Sequence, residues 1–279
     1  MRLANVRRQV FEWRQEIHHG IAHRRAKDSL PRLPERLRGL ADSLERSGAA
    51  MTSLKELDAD PRLLPELDRL LAATSGRTHD AKDYVVHAAD EDVAQCEAVL
   101  RWGLGEDLIA LCANYIGLPV AYRGVAVRRD IADGQVTGTR LWHRDGEDYR
   151  ILKFIVYVND VDENTGPFEF VPRQYAPPTW RVNLHDGNRV DEADFDRFVP
   201  AEGRKACVGP RGTVVAVDTC AVYHRGRVPA AQDRLTAFYC YNSIQPTRPE
   251  HCQPLFDRQR FSAAQALSAR QRSALDYRY

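Results

Sequence analysis

A chain of 279 residues is long enough to bury a full-sized core. Its forty basic and thirty-nine acidic side chains leave a formal charge of +1, with no net field to favour nucleic acid or a membrane surface as partner. No run of eighteen apolar residues and no apolar signal-peptide core interrupts it, and its six scattered cysteines without a Cys-x-x-Cys point to reduced thiols in the cytoplasm.

The first 46 residues carry eleven basic and six acidic side chains. Val6, Val10, Phe11, Trp13 and Ile17 recur there with a helical period, which predicts a surface helix with one face laid against the rest of the molecule. His18, His19 and His23 read as solvated positions on it. Helical patterns follow at about 34–47, 61–74, 91–102 and 105–116, punctuated by Pro61 and Pro119, and residues 48–54 read as an edge strand. From Ala121 the texture changes to short β-prone runs separated by Gly, Asn, Asp and Pro, as in a sandwich or jelly roll. The segment 173–205, broken by Pro177-Pro178, is long and irregular enough to predict a lid over a site, with a short helical pattern at 191–198. Helix returns over 261–275. The expected architecture is α+β in one domain: a mainly helical N-terminal region (residues 1–118), a jelly-roll core (119–245) carrying the insert 173–205, and a helical tail (246–279).

The chemistry concentrates in the β-rich region. Residues two apart share a face of an extended chain, so His143 and Asp145 can converge on one ion while Arg144 points away. The β-prone run 212–218 leads to His224, the natural third ligand from another strand. Two histidines and one carboxylate on one face of an octahedron leave three positions open, as a non-heme Fe(II) oxygenase needs; structural zinc would close its tetrahedron. In the strand-forming run 234–241, Arg234 and Thr236 share a face, and a guanidinium fork with a hydroxyl beside it suits a carboxylate. Lys153 interrupts the apolar run 151–158. A lysine there either meets a carboxylate of cosubstrate or substrate inside the barrel or reaches out to water along the sheet. Cys220, four residues before His224, reads as a small core residue.

His143-Arg144-Asp145, the strand 152–161, the turn from Asn164 through Gly166 to Pro172, and Asp218 through His224 to Arg234, taken in this order and spacing, resemble the phytanoyl-CoA dioxygenase-like branch of the Fe(II)/2-oxoglutarate-dependent oxygenases. The resemblance spans roughly residues 122–241. It implies a double-stranded β-helix (jelly roll, cupin-like) with flanking helices, and iron on His143, Asp145 and His224. It also implies 2-oxoglutarate held at its distal carboxylate by Arg234 and Thr236, and O2 as oxidant. Related halogenases lack the carboxylate supplied here by Asp145, so the implied outcome is hydroxylation of an unactivated carbon, with desaturation, ring formation or epimerisation reachable from the same chemistry. Family members often continue past the Val-Pro step into Gly-Ser-His, whereas Pro172 is followed by Arg173-Gln174-Tyr175. The insert is therefore individual to this chain, and Gln174, Trp180, Arg181 and His185 are its candidate substrate contacts. No adenine or phosphate motif supports a CoA ester, so a small metabolite is expected. Arginine fills thirty-five of the forty basic positions, a bias associated with high-GC bacterial genomes and consistent with a bacterial biosynthetic role. Two other readings stay open: a cupin-like metal enzyme without 2-oxoglutarate, which would need no fork at Arg234, and a jelly-roll binding protein that has lost catalysis, against which the intact triad stands.

Overall fold

Helices come first along the chain and strands dominate later. The computed structural model describes residues 2–75, 84–178, 182, 189–190, 192–259, 261 and 266–278. Helix α1 (Arg2–Ala26) is followed by α2 (Arg38–Ser47), β1 (Ala49–Ser53), α3 (Leu63–Ala72), β2 (Val85–His87), α4 (Asp90–Val93), α5 (Glu97–Trp102) and α6 (Glu106–Ile116). Both α2 and α6 end on a glycine in the left-handed region, Gly48 (φ 80°) and Gly117 (φ 77°), whose N–H groups close on Leu44 O and Ala113 O. Such a C-cap satisfies the last carbonyls and turns the chain without a Cβ penalty.

The remaining strands are β3 (Val120–Asp130), β4 (Trp142–His143), β5 (Leu152–Tyr157), β6 (Phe168–Phe170), β7 (Arg189–Val190), β8 (Lys205–Cys207), β9 (Thr213–Val217), β10 (His224–Gly226) and β11 (Arg234–Ser243). They form a six-stranded sheet, β1-β9-β5-β11-β3-β2, and a five-stranded sheet, β7-β4-β10-β6-β8, with antiparallel pairing throughout. Alternation along the large sheet divides its two faces. Phe154, Val156, Val214, Ala216, Ala237, Tyr239 and Tyr241 pack into one core with the helices. Ile155, Tyr157, Val215 and Val217 turn the other way, onto Phe168, Phe170 and Cys207 of the small sheet. This is a jelly roll with helices on the outer face of its larger sheet.

The predicted edge strand is β1, outermost on the large sheet and paired with β9. The described parts of the insert are tied to the small sheet. Its β7 pairs with β4, and its short helix α7 (Glu192–Asp196) carries Phe195 into a stack on Trp142, with ring centroids 4.5 Å apart, and an edge contact with Tyr223. Residues 179–181, 183–188 and 191 lie outside the described residues. The predicted tail helix is seen as α8 (Ala269–Leu275), started by a capping box between Ser268 and Gln271.

The expectation for α1 needs correction. Val6, Val10, Phe11, Trp13 and Ile17 are all exposed, from 40% to 62%, and the helix is tied down by its histidines instead. His19 Nε2 meets Ile116 O at 2.7 Å and His23 Nδ1 meets Gly117 O at 2.8 Å, at the C-terminal end of α6. Periodicity shows that a helix has an apolar stripe, not what covers it. No helix among the described residues is long and apolar enough to cross a membrane.

Candidate metal centre

The two histidines are brought together by strand register. β10 pairs with β4 so that His224 lies directly opposite His143, placing their rings on one face with centroids 4.2 Å apart. Asp145, two residues beyond His143, is anchored through its backbone N–H on Thr219 O at 2.9 Å, which ties the loop after β4 to the loop before β10. Asp145 Oδ1 then stands 3.7 Å from His143 Nε2 and 4.0 Å from His224 Nε2, somewhat wider than the roughly 3 Å between neighbouring donors about 2 Å from one ion, so that binding an ion would draw the three side chains slightly inward. Among the described residues this is the one cluster of three or more His, Cys, Asp or Glu ligand atoms gathered tightly enough to hold a metal.

Each imidazole is oriented by a backbone carbonyl. Nδ1 of His143 is 2.8 Å from Leu141 O, and Nδ1 of His224 is 3.2 Å from Val222 O. Donation from Nδ1–H fixes the tautomer and turns the Nε2 lone pair toward the cluster, the arrangement expected of ligating histidines. Burial pushes both imidazoles below their ordinary range, and His143 beside it helps to take His224 down to about 3. Both rings are therefore neutral and available to a metal.

Asp145 is held from two sides. Its Oδ2 accepts from Lys153 Nζ at 2.6 Å, and Lys153 also lies 3.7 Å from Glu147 Oε1. Burial opposes the carboxylate's charge, but the Lys153 ammonium outweighs it and holds the group below the usual carboxylate range. One oxygen is thus committed to the ammonium and the other to the histidines, which disposes Asp145 to bind an ion through Oδ1 alone. Arg144 turns away, as expected, with Nε on Cys220 O at 2.7 Å.

Beyond His224 on the same strand face lies Gly226, where a Cβ would fall 2.6 Å from Arg234 Nη2. The guanidinium of Arg234 fills the space that a side chain would need. Its fork is already engaged: Nη2 lies 3.0 Å from Asp130 Oδ1, and Nη1 donates to Gly166 O. Its Nε is buried without a hydrogen-bond partner. Thr236, fully buried, has one long hydrogen bond, 3.5 Å to Asp130 Oδ2.

Of the proposed substrate contacts, Gln174 is exposed in a short 3-10 turn, while Trp180, Arg181 and His185 lie outside the described residues. Asp130 went unremarked in the sequence, although an acid ending a buried strand after Arg128-Arg129 called for a basic partner. Glu147, two residues past Asp145, was missed likewise. Asp218 braces the loop that carries Thr219: Oδ1 accepts from the N–H groups of Cys220 and Ala221, and Oδ2 from Tyr115 and Arg173.

A jelly roll with a His-Asp-His cluster at its centre is the class that fold and site define. No protein-family model matches the chain, and no curated protein matches it in sequence. Solved structures do match in fold. EctD from S. alaskensis, in its apo form, is similar with a TM-score of 0.51 and 20% identity, over 74% of this chain and 77% of that one. The epimerase SnoN, in complex with Fe3+, alpha ketoglutarate and nogalamycin RO, is similar with a TM-score of 0.54 and 16% identity, over 84% and 90%. HygX from Streptomyces hygroscopicus, with nickel, 2-oxoglutarate and hygromycin B bound, has a TM-score of 0.50 and 13% identity, over 74% and 87%.

Proposed function

We propose that this chain is a non-heme Fe(II)- and 2-oxoglutarate-dependent oxygenase of the phytanoyl-CoA dioxygenase-like type, hydroxylating an unactivated carbon of a small metabolite. The observation that carries the reading is the convergence of His143 Nε2, Asp145 Oδ1 and His224 Nε2, with the buried guanidinium of Arg234, from β11, packed against Gly226 of β10. Two imidazoles and a carboxylate are the donor set of such iron sites, and both rings are turned with Nε2 inward. For the cosubstrate, the buried Nε of Arg234 and the weakly engaged hydroxyl of Thr236 are donors suited to a distal carboxylate. Lys153 already has Asp145 and Glu147 as partners, so Arg234 is the better candidate for that carboxylate. When bound, iron and 2-oxoglutarate would supply the oxidising power through reductive activation of O2.

The protein's own contribution is positional. His143, Asp145 and His224 hold three positions of the ion, and Lys153 keeps the second oxygen of Asp145 away from it. Arg234, fixed by Asp130 and the Gly166 carbonyl, orients the cosubstrate, and the apolar walls formed by Ile155, Val215, Val217 and Phe168 exclude water. EctD has been solved with 2-oxoglutarate and 5-hydroxyectoine, and SnoN is an epimerase, so the scaffold accommodates more than one outcome; an intact carboxylate at Asp145 favours hydroxylation here. Six buried free cysteines suit a cytoplasmic setting. The test is succinate formation from 2-oxoglutarate by the iron-loaded protein, which should vanish in His143→Ala, Asp145→Ala and His224→Ala; full turnover with stoichiometric iron in the His224 variant would refute the assignment.

A further inference from the structure

Arg128 sits on β3 directly opposite Thr236 of β11, with its side chain on the interior face of the large sheet. The face has two regimes of burial. Arg234 and Thr236 are sealed, at 2% and 0% exposure, whereas Ala126, Arg128 and Phe238 on the same face are half-buried and reach solvent. The guanidinium of Arg128 stands over the Phe238 ring, its Cζ 3.9 Å from the centroid, and its Nε is 3.3 Å from Asp130 Oδ2. Beyond that ion pair no well-formed hydrogen bond reaches it among the described residues, and its Nε is buried without one. No hydrogen bond to the outer N–H donors of this planar fork is seen among the described residues, which leaves them open to a ligand.

Asp130 cannot supply what is missing. Its Oδ1 is taken by Arg234 at 3.0 Å, and its Oδ2 is the acceptor for Thr236. The carboxylate stands between two guanidiniums and separates them: an inner, sealed fork behind Gly226 and an outer, open one over Phe238. The aromatic shelf immobilises the outer fork, so little rotamer entropy remains to be lost on binding. A planar pair of anionic oxygens would satisfy its donors in parallel.

We propose that Arg128 is a specificity-determining residue that receives a carboxylate of the substrate, so that the metabolite oxidised here is a carboxylic acid whose acid group rests on Arg128 beside Phe238. This deepens the oxygenase reading and rests on it for the identity of the site, but the fork itself needs no metal to bind an anion. The experiment therefore uses a probe visible without iron. 4-Fluorophenylacetate and its neutral amide are titrated by 19F NMR into the full-length metal-free protein, and into protein holding Zn(II) and saturating 2-oxoglutarate. The acid is expected to bind both forms and the amide neither. Arg128→Gln should weaken the acid at least ~10-fold, the loss expected when a hydrogen-bonded charge is removed, and Arg128→Lys should restore part of it.

Displacement of the probe by 2-oxoglutarate, with weakened 2-oxoglutarate binding in Arg128→Gln, would show that the outer fork serves the cosubstrate and would overturn the proposal. Equal binding of acid and amide, or no binding of the acid, would overturn it too. Folding of each variant is checked by its denaturation midpoint, with Arg128→Lys as the conservative control. A protein that binds the acid through Arg128 yet forms no iron–2-oxoglutarate complex would refute the oxygenase reading and leave the anion site standing.

Discussion

Replacing Lys153 by methionine keeps most of the side chain's volume and removes its charge. The ammonium is 2.6 Å from Asp145 Oδ2, and the two side chains are 17% and 16% exposed, so this is a mostly buried, hydrogen-bonded ion pair. Removing one partner of such a pair costs about 2–5 kcal/mol; residual solvent contact sets the expectation in the lower half, about 2–3 kcal/mol. The cost arises because Asp145 then faces two neutral imidazoles with no countercharge. A divalent ion supplies that charge, so the deficit should shrink when the site is filled, and the stabilisation gained on adding metal should be larger in the variant than in the wild type. Urea denaturation of both proteins, metal-free and with excess Mn(II), measures all four stabilities. Equal midpoints for the two metal-free proteins would refute the idea that Lys153 holds Asp145, and a smaller metal-induced gain in the variant would refute the exchange of countercharges.

Arg234→Gln should raise the 2-oxoglutarate requirement by orders of magnitude while leaving iron affinity nearly intact, as read by cosubstrate titration at fixed iron; an unchanged requirement would remove Arg234 from the cosubstrate site. Phe195→Ala should destabilise the fold by about 3–5 kcal/mol, because the ring is fully buried against Trp142 and Tyr223; a loss under about 1 kcal/mol would mean that this stretch of the insert is only laid on the surface. Asp218→Ala should weaken metal binding through the loop that carries Thr219, with Asp218→Asn less severe because one oxygen still accepts from Cys220 and Ala221; isothermal titration with Mn(II) checks the order. Burial holds His19 below its ordinary 6.5, so the unfolded chain binds more protons there. Stability from this group is present above about pH 6.5 and is lost as pH falls below it, and His19→Gln should flatten that region of the denaturation profile between about pH 7 and 5.

The metal triad was legible because its spacing is a local property: His143 and Asp145 share a face by alternation, and His224 closes a β-prone run. That Arg234 and Thr236 share a buried face was legible for the same reason. Asp130 was not, because its meaning depends on the register of β3 against β11, which no local pattern specifies. The partner of Lys153 was open for a related reason. Alternation allows either face, and the pair with Asp145 forms only once the loop after β4 folds back over β5. The jelly roll followed from texture, and the edge strand was read at residues 48–54. The covering of α1 did not follow, since an apolar stripe carries no address. The short helix of the insert was legible at 191–198, whereas the pairing of β7 with β4 was not, since it depends on a register that no local pattern specifies.

The central claim is that His143, Asp145 and His224 hold an iron that shares its remaining positions with 2-oxoglutarate. Anaerobic titration with Fe(II), then with 2-oxoglutarate, watched for the visible metal-to-ligand charge-transfer band, tests it most directly. One Fe(II) per chain is expected, with a band that appears only with 2-oxoglutarate. The band should be lost in His224→Ala, and in Arg234→Gln it should require far more cosubstrate. Stoichiometric iron with no band at any 2-oxoglutarate concentration would contradict the account and favour a cupin-like metal enzyme, and failure to bind iron would favour a jelly-roll binding protein.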